Sequence, residues 1–190
     1  MTKRIRFTLL FFRIFILVNQ NSFAQQELTS FEKFHKTSGD VLVGLLPALS
    51  LTSTFIWKDG QKGTWQFSKS LVSTIAITWG LKLLINKERP NRESLNSFPS
   101  GHTSVSFASA AFIQKRYGWK YGALAYVLAG YVGFSRIEAN KHDEWDVLAG
   151  TIIGTGMSYL FTKPFDKENN INVSSGFMDN TPTFKITYTF

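Results

Sequence analysis

Apolar and polar positions divide the chain into five apolar segments, 41–57, 68–85, 103–113, 121–134 and 147–161, separated by short polar breaks. Asp59-Gly60 and Lys62-Gly63 mark the first break, Pro90 and Pro99 bracket the second, Tyr117-Gly118 marks the third, and Pro164 follows the last. The pattern predicts an all-α fold, a helical bundle of about five core helices. Before it, residues 25–40 are polar with scattered Phe31, Phe34 and His35, as in an amphipathic helix lying on a surface, with His35 a bystander. After it come a polar linker, 166–175, and the sequence TFKITYTF at 183–190. There Phe184, Ile186, Tyr188 and Phe190 alternate with polar partners, the period of a strand with one apolar face. This short C-terminal β-like tail is expected to pack on the domain or pair at an edge.

Residues 1–24 have a different character. A basic start (Lys3, Arg4, Arg6) leads into an apolar run, 7–18, and then Ser22-Phe23-Ala24. Small residues at those positions suit cleavage after Ala24, so the segment reads as a secretory signal, with an uncleaved anchor as the alternative. Arg13 interrupts the run, leaving it too short and too charged for an ordinary span of about 20 residues. The chain therefore divides into a signal at 1–24, a helical domain at 25–165 and a linker with its tail at 166–190, in a protein exported to a bacterial cell envelope.

Composition narrows this picture. A length of 190 residues supports one domain with a real core. Aromatic residues make up 15% and hydrophobic residues 44%, which excludes a disordered chain. Without Lys3, Arg4, Arg6 and Arg13, the 21 basic residues fall to 17 against 13 acidic ones, a net charge of +4 in place of +8. That mild excess suits anionic substrates or lipid head groups, or solubility alone. With no cysteine, thiolate catalysis, Cys-zinc sites and disulfides are excluded. A mean hydropathy of −0.05 is low for a deeply embedded membrane protein. The apolar segments, 11 to 18 residues long and rich in Gly, Ser and Thr, fit either a compact bundle in water or short, tilted membrane helices.

Three stretches carry candidate chemistry. In KLLINKERP, 82–90, Lys82 and Arg89 lie seven residues apart, close to two helical turns, so both cations project from one face near a helix end. Lys82 lies between Leu81 and Leu83, where an unpaired charge is costly, and is expected to have an anionic partner. In FPSGHT, 98–103, Ser100 can cap a helix, Gly101 permits close backbone approach, and the free N–H groups make an anion site that His102 faces. In SRIEANKHDEWD, 135–146, Arg136 ends one helix, and His142 and Asp146 stand four apart, within reach of a carboxylate to imidazole hydrogen bond. A Ser100, His142, Asp146 acyl-transfer triad is a competitor, but it lacks a strand-to-helix elbow, and three convergent cations favour a trianionic group.

Together these motifs resemble the signatures of the type 2 phosphatidic acid phosphatase superfamily, which includes lipid phosphate phosphatases, class A acid phosphatases and vanadium haloperoxidases. The motifs run from Lys82 to Asp146, and the helix order extends the likeness over about 41–161. The resemblance implies a helical bundle with its active site at one end. It implies that Lys82, Arg89 and Arg136 hold phosphate oxygens, with Ser100 and the Gly101 N–H completing the cradle. His142 would be the nucleophile of a phosphohistidine intermediate, Asp146 would orient it, and His102 would protonate the leaving group. No metal and no cofactor is called for. Asp143 and Glu144 depart from the family pattern, since two more carboxylates near an anion site would weaken phosphate binding unless they turn outward.

The resulting expectation is a metal-independent hydrolase of a phosphomonoester or pyrophosphate, with a phosphorylated lipid or small phosphate ester as partner. Membrane association is expected, with the site on the periplasmic side. A soluble periplasmic acid phosphatase, a vanadate-dependent peroxidase and a non-catalytic anion-binding protein of the envelope are the alternatives. Nucleic acid is not an expected partner, because no basic stripe interleaved with aromatics is present.

Overall fold

The computed structural model describes residues 29–56, 60–165, 170–178 and 181–189; the signal read at 1–24 lies outside them. Five helices are followed by a hairpin: α1 (Ser30–Ile56), α2 (Gly60–Ile85), α3 (Gly101–Tyr117), α4 (Trp119–Glu138), α5 (Glu144–Phe161), β1 (Asn170–Met178) and β2 (Thr181–Thr189). The expected all-α bundle is present.

Each helix outruns the apolar segment that marks it, because polar residues at the ends cap it instead of stopping it. At the start of α1 the Thr29 N–H donates to Glu32 Oε2 (2.7 Å), and the Glu32 N–H donates to Thr29 Oγ1 (3.2 Å). This reciprocal box fixes the first turn. The stretch read as a separate surface helix is therefore the beginning of α1, which continues through Pro47. The break expected at 59–63 is the start of α2. Gly118, at φ 87°, closes α3 by donating its N–H to the Gln114 carbonyl (2.9 Å) and leads directly into α4. A left-handed residue there favours glycine.

Helix α3 is central and touches all four others. Its tightest neighbour is α5. A Cβ on Gly154 would lie 2.1 Å from the Ser104 carbonyl oxygen, and one on Gly150 would lie 2.7 Å from that of Ser100. Both obstacles are backbone and cannot swing aside, so these two glycines allow α5 to lie directly against α3.

The interior holds many hydroxyl side chains. Ser50, Thr54, Ser70, Thr74, Thr78, Ser106 and Ser109 are buried among alanines, with one apolar cluster around Leu46, Phe67, Phe112 and Val132. Some of these hydroxyls join helices: Ser50 donates to the Ser109 carbonyl (3.1 Å) and Thr78 to Ser104 Oγ (3.0 Å). Leu45, Leu49, Phe55, Trp65, Val72, Leu83, Leu84, Leu124, Val127, Ile152 and Leu160 face outward. Helix α1 and residues 62–85 are long and apolar enough to cross a membrane, yet their apolar windows are only 22% and 17% buried. A bundle that keeps hydroxyls inside and leucines outside matches a lipid surround better than water. The low mean hydropathy thus reflects a polar interior and polar ends.

The hairpin is antiparallel, with Asn170 opposite Thr189 and Ser175 opposite Phe184. The tail therefore pairs with a strand drawn from the expected linker, whose brief alternation of Ile171 and Val173 is diluted by Asn and Ser.

Gly154→Val is expected to lower the thermal unfolding midpoint of the detergent-solubilised protein, at a cost of about 1–3 kcal/mol from overpacking. Gly156→Ala, at a mid-helix position where an added Cβ meets nothing within 4 Å, is expected to raise the midpoint, with a gain of about 0.5–1 kcal/mol in stability.

Candidate active site

Two connectors and two helix starts converge at one end of the bundle. Asn86 (φ 44°) turns the chain out of α2, and Asn140 (φ 51°) turns it out of α4. The connectors are tied together by the Asn91 N–H donating to the Asn140 carbonyl (3.1 Å). The helix starts are tied by the Ser100 N–H donating to the Asp146 carbonyl (2.9 Å). Between them lies a cavity of about 330 Å³. Lys82, Arg89, Gly101, His102 and His142 form its polar lining, and Val43, Ile75, Trp79 and Val105 its apolar wall.

Lys82, in the last turn of α2, donates to the carbonyls of Asn96 (2.6 Å) and Ser97 (3.3 Å). These neutral acceptors replace the anionic partner expected from sequence, so its charge is not cancelled by a paired acid. Arg89 does not share the α2 face, because that helix ends at Ile85; the connector carries it to the cavity. Its Nε is buried without a hydrogen-bond acceptor. An unsatisfied cationic donor beside a cavity is a position that a bound anion would complete.

Helix α3 begins at Gly101, where the first N–H groups have no intrahelical acceptor. Ser100 caps it, accepting from the Thr103 N–H (3.4 Å) and Thr103 Oγ1 (2.9 Å). The Ser100 side chain is fully buried and does not line the cavity.

His142 is 4% exposed, and its Nδ1 stands 3.4 Å from Asp146 Oδ2, which leaves Nε2 for a bound group. Burial, followed by the charges of Lys82 and Arg89, depresses its pKa to about 4 against the opposing pull of Asp146. The ring is therefore neutral near pH 7.

Asp146 is held from several sides. Oδ1 accepts from Lys87 Nζ (2.8 Å), and Oδ2 accepts from Ser97 Oγ and the Asp143 N–H (3.2 Å). Asp143 caps α5, accepting from the Asp146 N–H (3.0 Å), and pairs with Lys87. Burial works against the Lys87 charge, but the bonds and charges of the two aspartates outweigh it and raise the pKa. Thus Asp143 is engaged in capping and pairing, and Glu144 is exposed. Sequence reasoning missed Lys87, although it lies between the two cations of its own motif.

Arg136 is 3% exposed and does not line the cavity. Its Nη1 donates to Asp40 Oδ1 (2.7 Å) and its Nη2 to the Lys36 carbonyl (2.7 Å), both on α1. Asp40 also lies 3.0 Å from His102 Nε2 and was not singled out from sequence. His35 is buried against the rings of Phe31, Phe34 and Phe134, with Nδ1 2.9 Å from Tyr131 Oη, and helps to fasten α1 to α4.

A family model, the PAP2 superfamily, matches residues 63–170, more than half the chain. The chain belongs to the PAP2 superfamily. This PAP2 chain is 35% identical over 133 residues to the lipid A 1-phosphatase of Porphyromonas gingivalis, a match covering 64% of the chain but 29% of that relative. It is 30% identical over 138 residues to the lipid A 4'-phosphatase of Helicobacter pylori, covering 67% of the chain and 69% of the relative. The crystal structure of Aquifex aeolicus LpxE shares the fold, with a TM-score of 0.60 at 22% identity over 78% of this chain and 92% of that one.

In an NMR titration the His142 ring is expected to stay neutral down to a pH of about 4. In Lys87→Gln the Asp146 charge is no longer shared with a cation, so the midpoint is expected to move upward. A midpoint that does not move would separate Lys87 from the His142 pair.

Proposed function

We propose that this PAP2 protein is a phosphatase that hydrolyses a phosphomonoester or pyrophosphate of a membrane lipid, without a metal, through a phosphohistidine on His142. One observation carries this reading. The cavity is lined by the cations and imidazoles together with Val43, Ile75, Trp79 and Val105, and α1 and α2 present apolar faces outward. A head-group phosphate and an attached hydrocarbon chain are the two halves such a space accommodates. The names of the Porphyromonas and Helicobacter relatives support a lipid A type of substrate. The signal read at 1–24 supports a site on the periplasmic side.

Lys82, Arg89 and the Gly101 N–H cradle the nonbridging oxygens, with Ser100 shaping that turn and Arg136 adding positive charge while paired with Asp40. His142 Nε2 attacks phosphorus in line, and Asp146 holds its tautomer and stabilises the cationic phosphohistidine. His102 gives its proton to the leaving oxygen. Water then attacks the phosphohistidine and releases phosphate. Phosphoryl transfer needs chiefly positioning and charge stabilisation, which fixed cations and a helix N-terminus supply. A soluble acid phosphatase is the weaker reading, because the outward leucines and tryptophans would lie in water.

Detergent-solubilised protein in EDTA is expected to release phosphate from phosphatidic acid or a lipid A type phosphate, with a bell-shaped pH profile. His142→Ala should lower turnover at least about a thousandfold and abolish an acid-labile, base-stable phosphoenzyme. Wild-type turnover in His142→Ala would overturn the assignment.

A further inference from the structure

The carboxylate of Asp40 has no part in the phosphate cradle, yet it bridges two of the site's cationic or protonatable groups. Its Oδ1 lies 3.0 Å from His102 Nε2 and 2.7 Å from Arg136 Nη1. The position is built into the packing. A Cβ on Gly39 would fall 2.1 Å from Ser135 Oγ and 2.4 Å from Arg136 Nη2, so the missing side chain lets α1 lie directly against α4. Arg136 Nη2 grips the Lys36 carbonyl one turn earlier (2.7 Å), which fastens the same face of α1.

We infer that Asp40 is a positioning residue for His102, orienting its ring and keeping a proton on it for leaving groups too basic to depart without one. This rests on the phosphatase reading above. The positive charges acting on the ring are Arg136 on α4 and Arg89 on the connector, and Lys82 on α2 and neutral His142 line the same cavity. Burial and the two guanidiniums lower the pKa of His102, and Asp40 is the group that opposes them. With Nε2–H donating to Asp40, the second proton of the imidazolium sits on Nδ1. As the His142 Nε2–P bond forms and the P–O bond breaks, that proton passes to the departing oxygen. The ring is left neutral, its remaining proton held against Asp40.

The test compares the full chain with Asp40→Asn in detergent and EDTA, measuring kcat/KM against pH for phosphatidic acid and for p-nitrophenyl phosphate, whose phenolate leaves without a proton. The ratio of the two kcat/KM values does not depend on how much of a preparation is folded. Asp40→Asn is expected to lower the alkyl-to-aryl ratio at least about tenfold, within the range of a general acid. It should also move the basic limb of the phosphatidic acid profile to lower pH, because a less stabilised His102 loses its proton sooner. In a His102→Ala background, Asp40→Asn should not change the ratio further. An active wild type whose ratio and basic limb survive Asp40→Asn unchanged overturns the inference and leaves the phosphatase reading standing. A wild type that cleaves neither ester overturns both.

Discussion

A carboxylate removed from water must be solvated by protein, and Asp146 meets that requirement by gathering groups from separate parts of the chain. Lys87 and Ser97 come from the connector after α2, His142 and the Asp143 N–H from the connector after α4. Its own carbonyl receives the N–H of Ser100 at the start of α3. One fully buried acid therefore fixes both connectors and the start of α3. The close approach of α3 and α5 at Gly150 and Gly154 makes that reach possible, because a wider gap would separate Ser100 from Asp146.

Around this hub the charges are sorted. The site holds two imidazoles, to which the proposed mechanism gives opposite tasks, and each has its own carboxylate: His142 leans on Asp146, and His102 on Asp40. The surroundings separate them. His142 is almost fully buried, and its acid is shared with Lys87, so little negative charge is left to hold a proton on the ring. His102 is half-buried, and its acid is itself exposed.

The residues legible in sequence are those tied to helix ends that Pro90 and Ser100 mark in the chain itself, whereas Asp143, read as a departure from the family pattern, is the cap of α5. The motifs that carry Lys82, His102 and His142 could be read from their order and family resemblance, whereas Arg89 reaches the cavity through the connector and not along the α2 face its spacing suggested. Asp40 and Lys87 were not legible, because their partners lie 62 and 96 residues away for Asp40 and 59 for Lys87, and only tertiary packing pairs them. The anionic partner expected for Lys82 was inferred from its apolar neighbours in sequence. In the fold Leu83 points outward, and two carbonyls of a later connector satisfy the ammonium. Helix lengths were underestimated because charged and polar residues end an apolar run in the sequence, whereas at 30–40, 114–117 and 135–138 they continue the helix.

Pro47 gives α1 an uneven stiffness. Proline has no N–H to donate, so the carbonyl four residues earlier, that of Val43, lacks its helical partner at the level where the Val43 side chain forms part of the cavity wall. On one side of this missing rung, Gly39 and Asp40 are anchored to α4; on the other, Leu46 and Ser50 are packed in the core. The helix is weakest between two fixed points, at the apolar flank of the chamber. Any bending of α1 is thereby concentrated at the apolar flank of the cavity, and the acidic end stays in register with His102.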